Sequence, residues 1–137
     1  MEDKIEVGEY VRTKDGRIAQ IKSIDYEAGI YRFDRIIYIN DFGMKEDVLY
    51  NNEMFKKLIV KHSKQLIDLS EVGDLIIYRL RGLKHQGKGF IRIYKDARSG
   101  KENLEIDSYS LEQIEIIEIL THEQIEQNCY KVGGEDE

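Results

Sequence analysis

The chain has 137 residues, 41% apolar and 35% charged, with a net charge of −6, one cysteine, three histidines and no proline. That length suits one ordinary domain or two very small ones, with enough Ile, Leu, Val and aromatic side chain for a core. It excludes a disulfide framework, because Cys129 has no internal partner, and a membrane-spanning helix, because no apolar run approaches about 18 residues.

The opening MEDKIEVGEY is acidic and polar where a signal peptide is basic and then apolar, so a cytoplasmic location is expected. EYVRT reads as a short strand, KDG as a tight turn through Gly16, and RIAQIKSIDY as a strand of imperfect alternation. EAG turns the chain again and IYRFDRIIYI supplies another β-rich run. Short strands joined by one-glycine turns predict a small antiparallel barrel or half-barrel. With no proline available, such turns rest on Gly, Asn and Asp. The stretch that follows is less regular. It holds one or two helical turns within 47–57, capped by Asn51 or Asn52, or an irregular crossover.

IEVGEYV at 5–11 and SEVGDLI at 70–76 then match as Glu6, Val7, Gly8, Glu9 against Glu71, Val72, Gly73, Asp74, a constant offset of 65. In both, the valine would point inward and the glycine would allow a backbone angle that a side chain opposes. Two readings stand, a duplicated module and two ordinary strand entrances of similar composition. After the second bend come the strand DLIIYRL, a basic loop RGLKHQGKG, the strand FIRIYKD, the turn ARSGK and the strand ENLEIDSYS. LEQIEIIEIL is a final strand, being rich in β-branched residues. Thr121 caps a short helix, with Gln124 closing a capping box.

Charge is unevenly spread. Residues 111–137 hold 8 acidic groups and 1 basic group, whereas residues 79–101 hold 8 Lys or Arg against the single carboxylate of Asp96. Arg79, Arg81, Lys84, Lys88, Arg92, Lys95, Arg98 and Lys101 are interleaved with Tyr78, Phe90 and Tyr94. On a strand Arg92 would share a face with Phe90 and Tyr94 while Ile91 and Ile93 point the other way. Cations among exposed rings hold single-stranded nucleic acid through phosphate pairing and base stacking. The alternative is a solvated hairpin whose cations pair with the acidic C-terminal segment. In that segment Glu112, Glu115, Glu118, Glu123 and Glu126 offer carboxylates to a basic partner protein, or a face that keeps the chain soluble.

Catalytic constellations are weak. GLKHQGKGF lacks the order and the following helix of a phosphate-binding loop. His62 and Ser63 are adjacent, so they do not aim at one atom, and Cys129 lies seven residues beyond His122, two helical turns away. His122, Glu123 and Glu126 fall short of a metal's ligand set. No catalytic residue, metal or cofactor is expected.

The segments VGEYVRTKDGRIAQI, IVKHSKQLIDLSEVGDLI and ILTHEQIEQNCYKV resemble those of small accessory proteins of unknown function from phages and prophages of clostridia and related Firmicutes. The resemblance covers most of the chain. Its most specific parts are Lys61–His62–Ser63, Ile67–Leu69, Val72–Gly73–Asp74 and the ending from Thr121 through Tyr130 to Val132. This chain departs from the style in its long, basic stretch from Arg79 to Lys101. The resemblance transfers no catalytic residue. It implies an accessory phage protein, one acting on a bacterial defence system such as an anti-CRISPR being one form. Together with the small size, the lack of catalytic constellations and the separated basic and acidic areas, it leads to the expectation of a non-enzymatic protein in the host cytoplasm that binds a host protein.

The expected fold is mainly β: two small SH3-like antiparallel barrel or half-barrel modules with a short C-terminal helix. The first module spans 1–60, a connecting arm 61–69, the second module 70–132, and a disordered tail 133–137. The expected partner is a host protein; the alternative is nucleic acid or nucleotide bound through the basic aromatic hairpin at 78–101. Self-association is compatible with both, and no membrane role is expected.

Overall fold

The structure, a computed structural model, describes residues 5–128; the tail 133–137 and Cys129 lie outside the described residues. Contacts divide the chain into two compact units, Met1–Ser70 and Glu71–Glu137. Both are built mainly from antiparallel strands, and among the described residues none of the sheets closes into a barrel. No described helix is long and apolar enough to cross a membrane.

In the first unit the strands are β1 (Tyr10–Thr13), β2 (Ile18–Asp25), β3 (Ile30–Phe33), β4 (Tyr38–Ile39), β5 (Lys45–Glu46), β6 (Val48–Tyr50) and β7 (Ile59–Ser63). Five of them form one sheet in the order β6-β3-β2-β1-β7, while β4 and β5 make a separate hairpin. Alternation in β1, β2 and β3 sends Val11, Ala19, Ile21, Tyr31 and Phe33 to one side, where Ile37, Leu49 and Phe55 complete the core. Helix α1 (Glu53–Leu58) starts where the Asn52 side chain accepts from the Met54 N–H at 3.0 Å. It ends after six residues as Ile59 turns extended, and its Phe55 ring lies 4.9 Å from that of Tyr31. Residues 61–63 of the segment read as an arm pair with β1, and a 3₁₀ turn over Leu66–Leu69 follows. The fully buried Arg12 guanidinium ties that turn down by donating to the Leu69 carbonyl at 2.8 Å.

The second unit comprises β8 (Leu75–Leu80), β9 (Gln86–Phe90), β10 (Arg92–Lys95), β11 (Glu102–Ile106), β12 (Tyr109–Ser110), a 3₁₀ turn (Leu111–Gln113), β13 (Ile114–Leu120) and α2 (His122–Asn128). Its sheets run β13-β8-β9 and β10-β11-β12. Strands β9 and β10 are separated only by Ile91, which is 1% exposed. Followed through that residue, the order is last-first-second-third-fourth, the same as β7-β1-β2-β3-β6 in the first unit.

The two bends share their backbone geometry, and their valines, expected to point inward, are both exposed, Val7 at 49% and Val72 at 46%. Gly8 and Gly73 both sit at φ +96°, where a side chain is disfavoured. The Glu6 and Glu71 N–H groups each donate to a carboxylate three residues on, Glu9 or Asp74, at 2.7 Å. Gly8 N–H donates to the Ile21 carbonyl and Gly73 N–H to that of Ile91, both at 2.9 Å; the return bonds run from Ile21 to Glu9 at 2.8 Å and from Ile91 to Asp74 at 2.9 Å. Each carboxylate is buried and also engages the end of its unit. Glu9 meets His62 Nδ1 on β7 at 2.7 Å, and Asp74 accepts the His122 backbone N–H just after β13 at 2.9 Å.

One element differs from the sequence reading. The second half of the expected loop RGLKHQGKG is strand β9, paired with β8 from Gln86 to Phe90. Its glycines have a packing reason: a Cβ on Gly87 would sit 2.6 Å from Tyr78 Cζ, and one on Gly89 would sit 2.5 Å from Asp107 Oδ1. The Tyr78 ring therefore crosses β9 over Gly87, and its hydroxyl donates to Asp107 at 2.8 Å. The expected final helix forms as α2, where the Thr121 hydroxyl accepts from Gln124 N–H at 3.4 Å, a long bond at its start.

Candidate functional site

Pairing decides where the basic and acidic candidates end up. On β8, Ile76 and Tyr78 are buried, so Leu75, Ile77 and Arg79 occupy the opposite, outer face. Register sets Phe90, Lys88 and Gln86 of β9 beside them, and Leu120, Glu118 and Glu115 of β13 on the other flank. The outer face thus has three rows: Leu120–Leu75–Phe90, Glu118–Ile77–Lys88 and Glu115–Arg79–Gln86. Phe90 is 56% exposed and Leu120 42%.

Glu115 and Glu118 are three apart and would lie on opposite faces of a regular strand. A bulge between Ile116 and Glu118 inserts Ile117 without a partner and returns both carboxylates to the outer face. Glu112 does not join that row; it lies in the 3₁₀ turn, and its backbone carbonyl accepts from Arg81 Nε at 2.8 Å. Glu123 and Glu126 sit on α2.

The basic stretch is partly neutralised. Arg79 reaches Glu115 through Nε and Nη2, both at 3.1 Å, and Arg92 reaches Glu105 in the same way at 3.1 Å. Exposed pairs of this kind contribute about 0.2–1 kcal/mol each; their larger effect is to cancel charge. Lys84, Lys88, Lys95, Arg98 and Lys101 are exposed and form no ion pair among the described residues.

Tyr78 is not an exposed stacking ring. It is 6% exposed, and burial, with the bond to Asp107 second, pushes its hydroxyl up to about 12. Ile93 does not turn inward like Ile91: it is 51% exposed opposite Leu104 on the β10–β11 hairpin. The break at Ile91 therefore puts Phe90 and Tyr94, expected on one face, on two different sheets. Tyr94 remains 50% exposed beside Lys95.

The metal triad weighed from sequence is also rearranged. Glu71, rather than Glu126, joins His122 and Glu123, with ligand atoms within 4.8 Å of one another. The His122 ring bonds Glu71 at 2.9 Å, which fastens the start of α2 to the second bend. That contact accounts for the group's geometry.

The first unit carries features that the sequence reading passed over. Phe42, at the tip of the β4–β5 hairpin, is 89% exposed, and Met44 is 62% exposed. Asn40 stiffens the tip by accepting from the Phe42 and Met44 N–H groups at 2.9 and 3.0 Å, and donates to Glu46. Next to the hairpin is an open cleft of about 430 Å³. Tyr38, Ile39, Met54 and Leu58 give it apolar walls; Asn40, Lys14, Asp15, Arg17 and Asp41 supply the rest. Asp15 is held by Thr13 and by Arg17 at 3.2 Å. The turn signal N-D-F-G, with an aromatic ring inside it, was the available clue.

Comparison with protein families, with curated proteins and with solved structures finds no match.

Proposed function

We propose that the chain is a non-enzymatic accessory protein of the phage and prophage kind, which binds a host protein through the outer face of β13-β8-β9. The observation that carries this reading is the neutralised, partly apolar character of that face. Arg79 is cancelled by Glu115, Lys88 and Glu118 flank Ile77, and Leu120 and Phe90 stay exposed on either side of the half-buried Leu75. A phosphate backbone selects an unbroken cationic track. A protein partner selects an aromatic and aliphatic centre with a mixed polar rim. A component of a bacterial defence system, as for an anti-CRISPR, is the class of target that the phage-like segments favour.

The two units are read as SH3-like half-barrels copied from one ancestral module. The shared strand order and the matching bends support that origin.

The test is affinity capture from bacterial lysate at two salt concentrations, with the natural chain and Phe90→Asp side by side. A stoichiometric host protein held by the natural chain and lost from Phe90→Asp is expected. Equal recovery on both chains would overturn the assignment of the surface, and no stoichiometric protein at either salt would overturn the function. Nucleic-acid binding is the second reading, favoured by Tyr94 and the unpaired cations Lys95, Arg98 and Lys101. It requires Lys95→Ala with Arg98→Ala to weaken oligonucleotide binding and flatten its salt dependence.

A further inference from the structure

We infer that the first unit is a self-association module, in which Phe42 of one copy seats in the cleft of a second copy and receives that copy's Phe42 in return. The chain displays both halves of such a contact side by side. The knob is Phe42, 89% exposed at the tip of a hairpin whose backbone is pinned by Asn40. The hole is the cleft of about 430 Å³, within the range that takes a ligand-sized apolar group. Its apolar walls are Tyr38 and Ile39 of the same hairpin and Met54 and Leu58 of α1.

A protruding apolar group next to an apolar recess on one surface is self-complementary under a two-fold axis that passes between them. The remaining polar groups fit the same operation. Lys14 and Asp41 line the cleft, have opposite charge and make no ion pair among the described residues. A two-fold pairing brings Lys14 of each copy toward Asp41 of the other. Asp15 is already engaged by Thr13 and Arg17, so it makes no competing demand. Asn40 and Asp15 are engaged within the unit and offer little to a small polar ligand. An aromatic side chain from a second copy leaves them undisturbed. The pinned tip also lowers the entropy lost when the ring is buried.

The experiment is sedimentation equilibrium of the full chain from about 1 μM to about 1 mM. The natural chain is expected to move from 16.1 kDa toward twice that mass as concentration rises. Phe42→Asp removes the knob and Met54→Glu obstructs the hole; each should raise the dimer dissociation constant about 100-fold or more. Both positions are exposed, so both variants should keep the natural far-ultraviolet dichroism and melting transition. Mixing the two variants restores one complete knob-and-hole contact and should yield more dimer than either alone. A natural chain that stays at 16.1 kDa throughout, or a dimer indifferent to both substitutions, overturns the proposal. Phe90→Asp, on the other unit, should leave the self-association unchanged, which separates this surface from the host-binding one.

Discussion

Replacing Asp74 by Ala should destabilise the second unit far more than its single short side chain suggests. The carboxylate is fully buried and accepts two backbone N–H groups, from Glu71 at 2.7 Å and from His122 at 2.9 Å. Hydrogen bonds to a charged acceptor contribute about 1.5–3 kcal/mol each, so the two together amount to about 3–6 kcal/mol. Folded domains hold roughly 0.05–0.15 kcal/mol per residue, which gives a unit of this size about 3–10 kcal/mol in all. The loss is therefore expected to take half or more of the unit's stability. Hydrogen exchange followed by mass spectrometry reads it directly: amides of β8 and β13 should lose protection while those of β1–β3 keep theirs. Asp74→Asn keeps one acceptor oxygen and should fall about midway. A change below about 1 kcal/mol, or protection lost equally in β1–β3, would refute the view that this carboxylate clamps its own unit.

Three further outcomes follow from the same geometry. Gly8→Ala and Gly73→Ala both place a side chain at φ +96°, but only the second meets a neighbour, His122 Cβ at 3.3 Å, so Gly73→Ala should lower the melting temperature more. Gly87→Ala drives a Cβ to 2.6 Å from the Tyr78 ring and should cost about 1–3 kcal/mol, measured by urea unfolding; Gly82→Ala, with nothing within 4 Å, tests the backbone effect of φ +82° alone. Tyr78 is raised to about 12 by burial and its bond to Asp107, above the ordinary 10.0. Its neutral form is favoured by folding, so its stabilisation is complete below pH 10 and is lost as pH rises toward 12. Thermal unfolding across that range should show the decline, and Tyr78→Phe should remove this group's share of it.

Local chemistry was legible in the sequence where one residue type dictates one geometry. Gly16, Gly29 and Gly100 all turn the chain at positive φ, Asn52 caps α1, and LEQIEIIEIL contains the last strand. The E-V-G-E/D match located both bends. What escaped was long-range pairing. Whether Arg79 is a free cation depends on Glu115, 36 positions away; pairing with the acidic C-terminal segment was one of two readings, and no local pattern chose between them or named the partner. Tyr78 has the alternation of a strand residue, yet which side is buried depends on glycines in β9 that make room for its ring. The break at Ile91 defeated the two-residue period on which the shared face of Phe90 and Tyr94 rested. Phe42 was passed over because an aromatic residue in a turn is as compatible with burial as with exposure.

The bulge at Ile117 bears on how this protein behaves in a crowded cell. Strand β13 lies at the end of its sheet and is composed entirely of isoleucine, leucine and glutamate. A flat apolar edge of that length invites another chain to add a strand and start a fibre. Without Ile117 the run would read I-E-I-E-I-L, alternating without a break from Ile114 to Ile119 and a smooth template. The surplus residue bends the strand and interrupts its ladder, while Glu115 and Glu118 stay on the exposed side. One added isoleucine thus makes the strand more apolar and at the same time a poorer seed for aggregation.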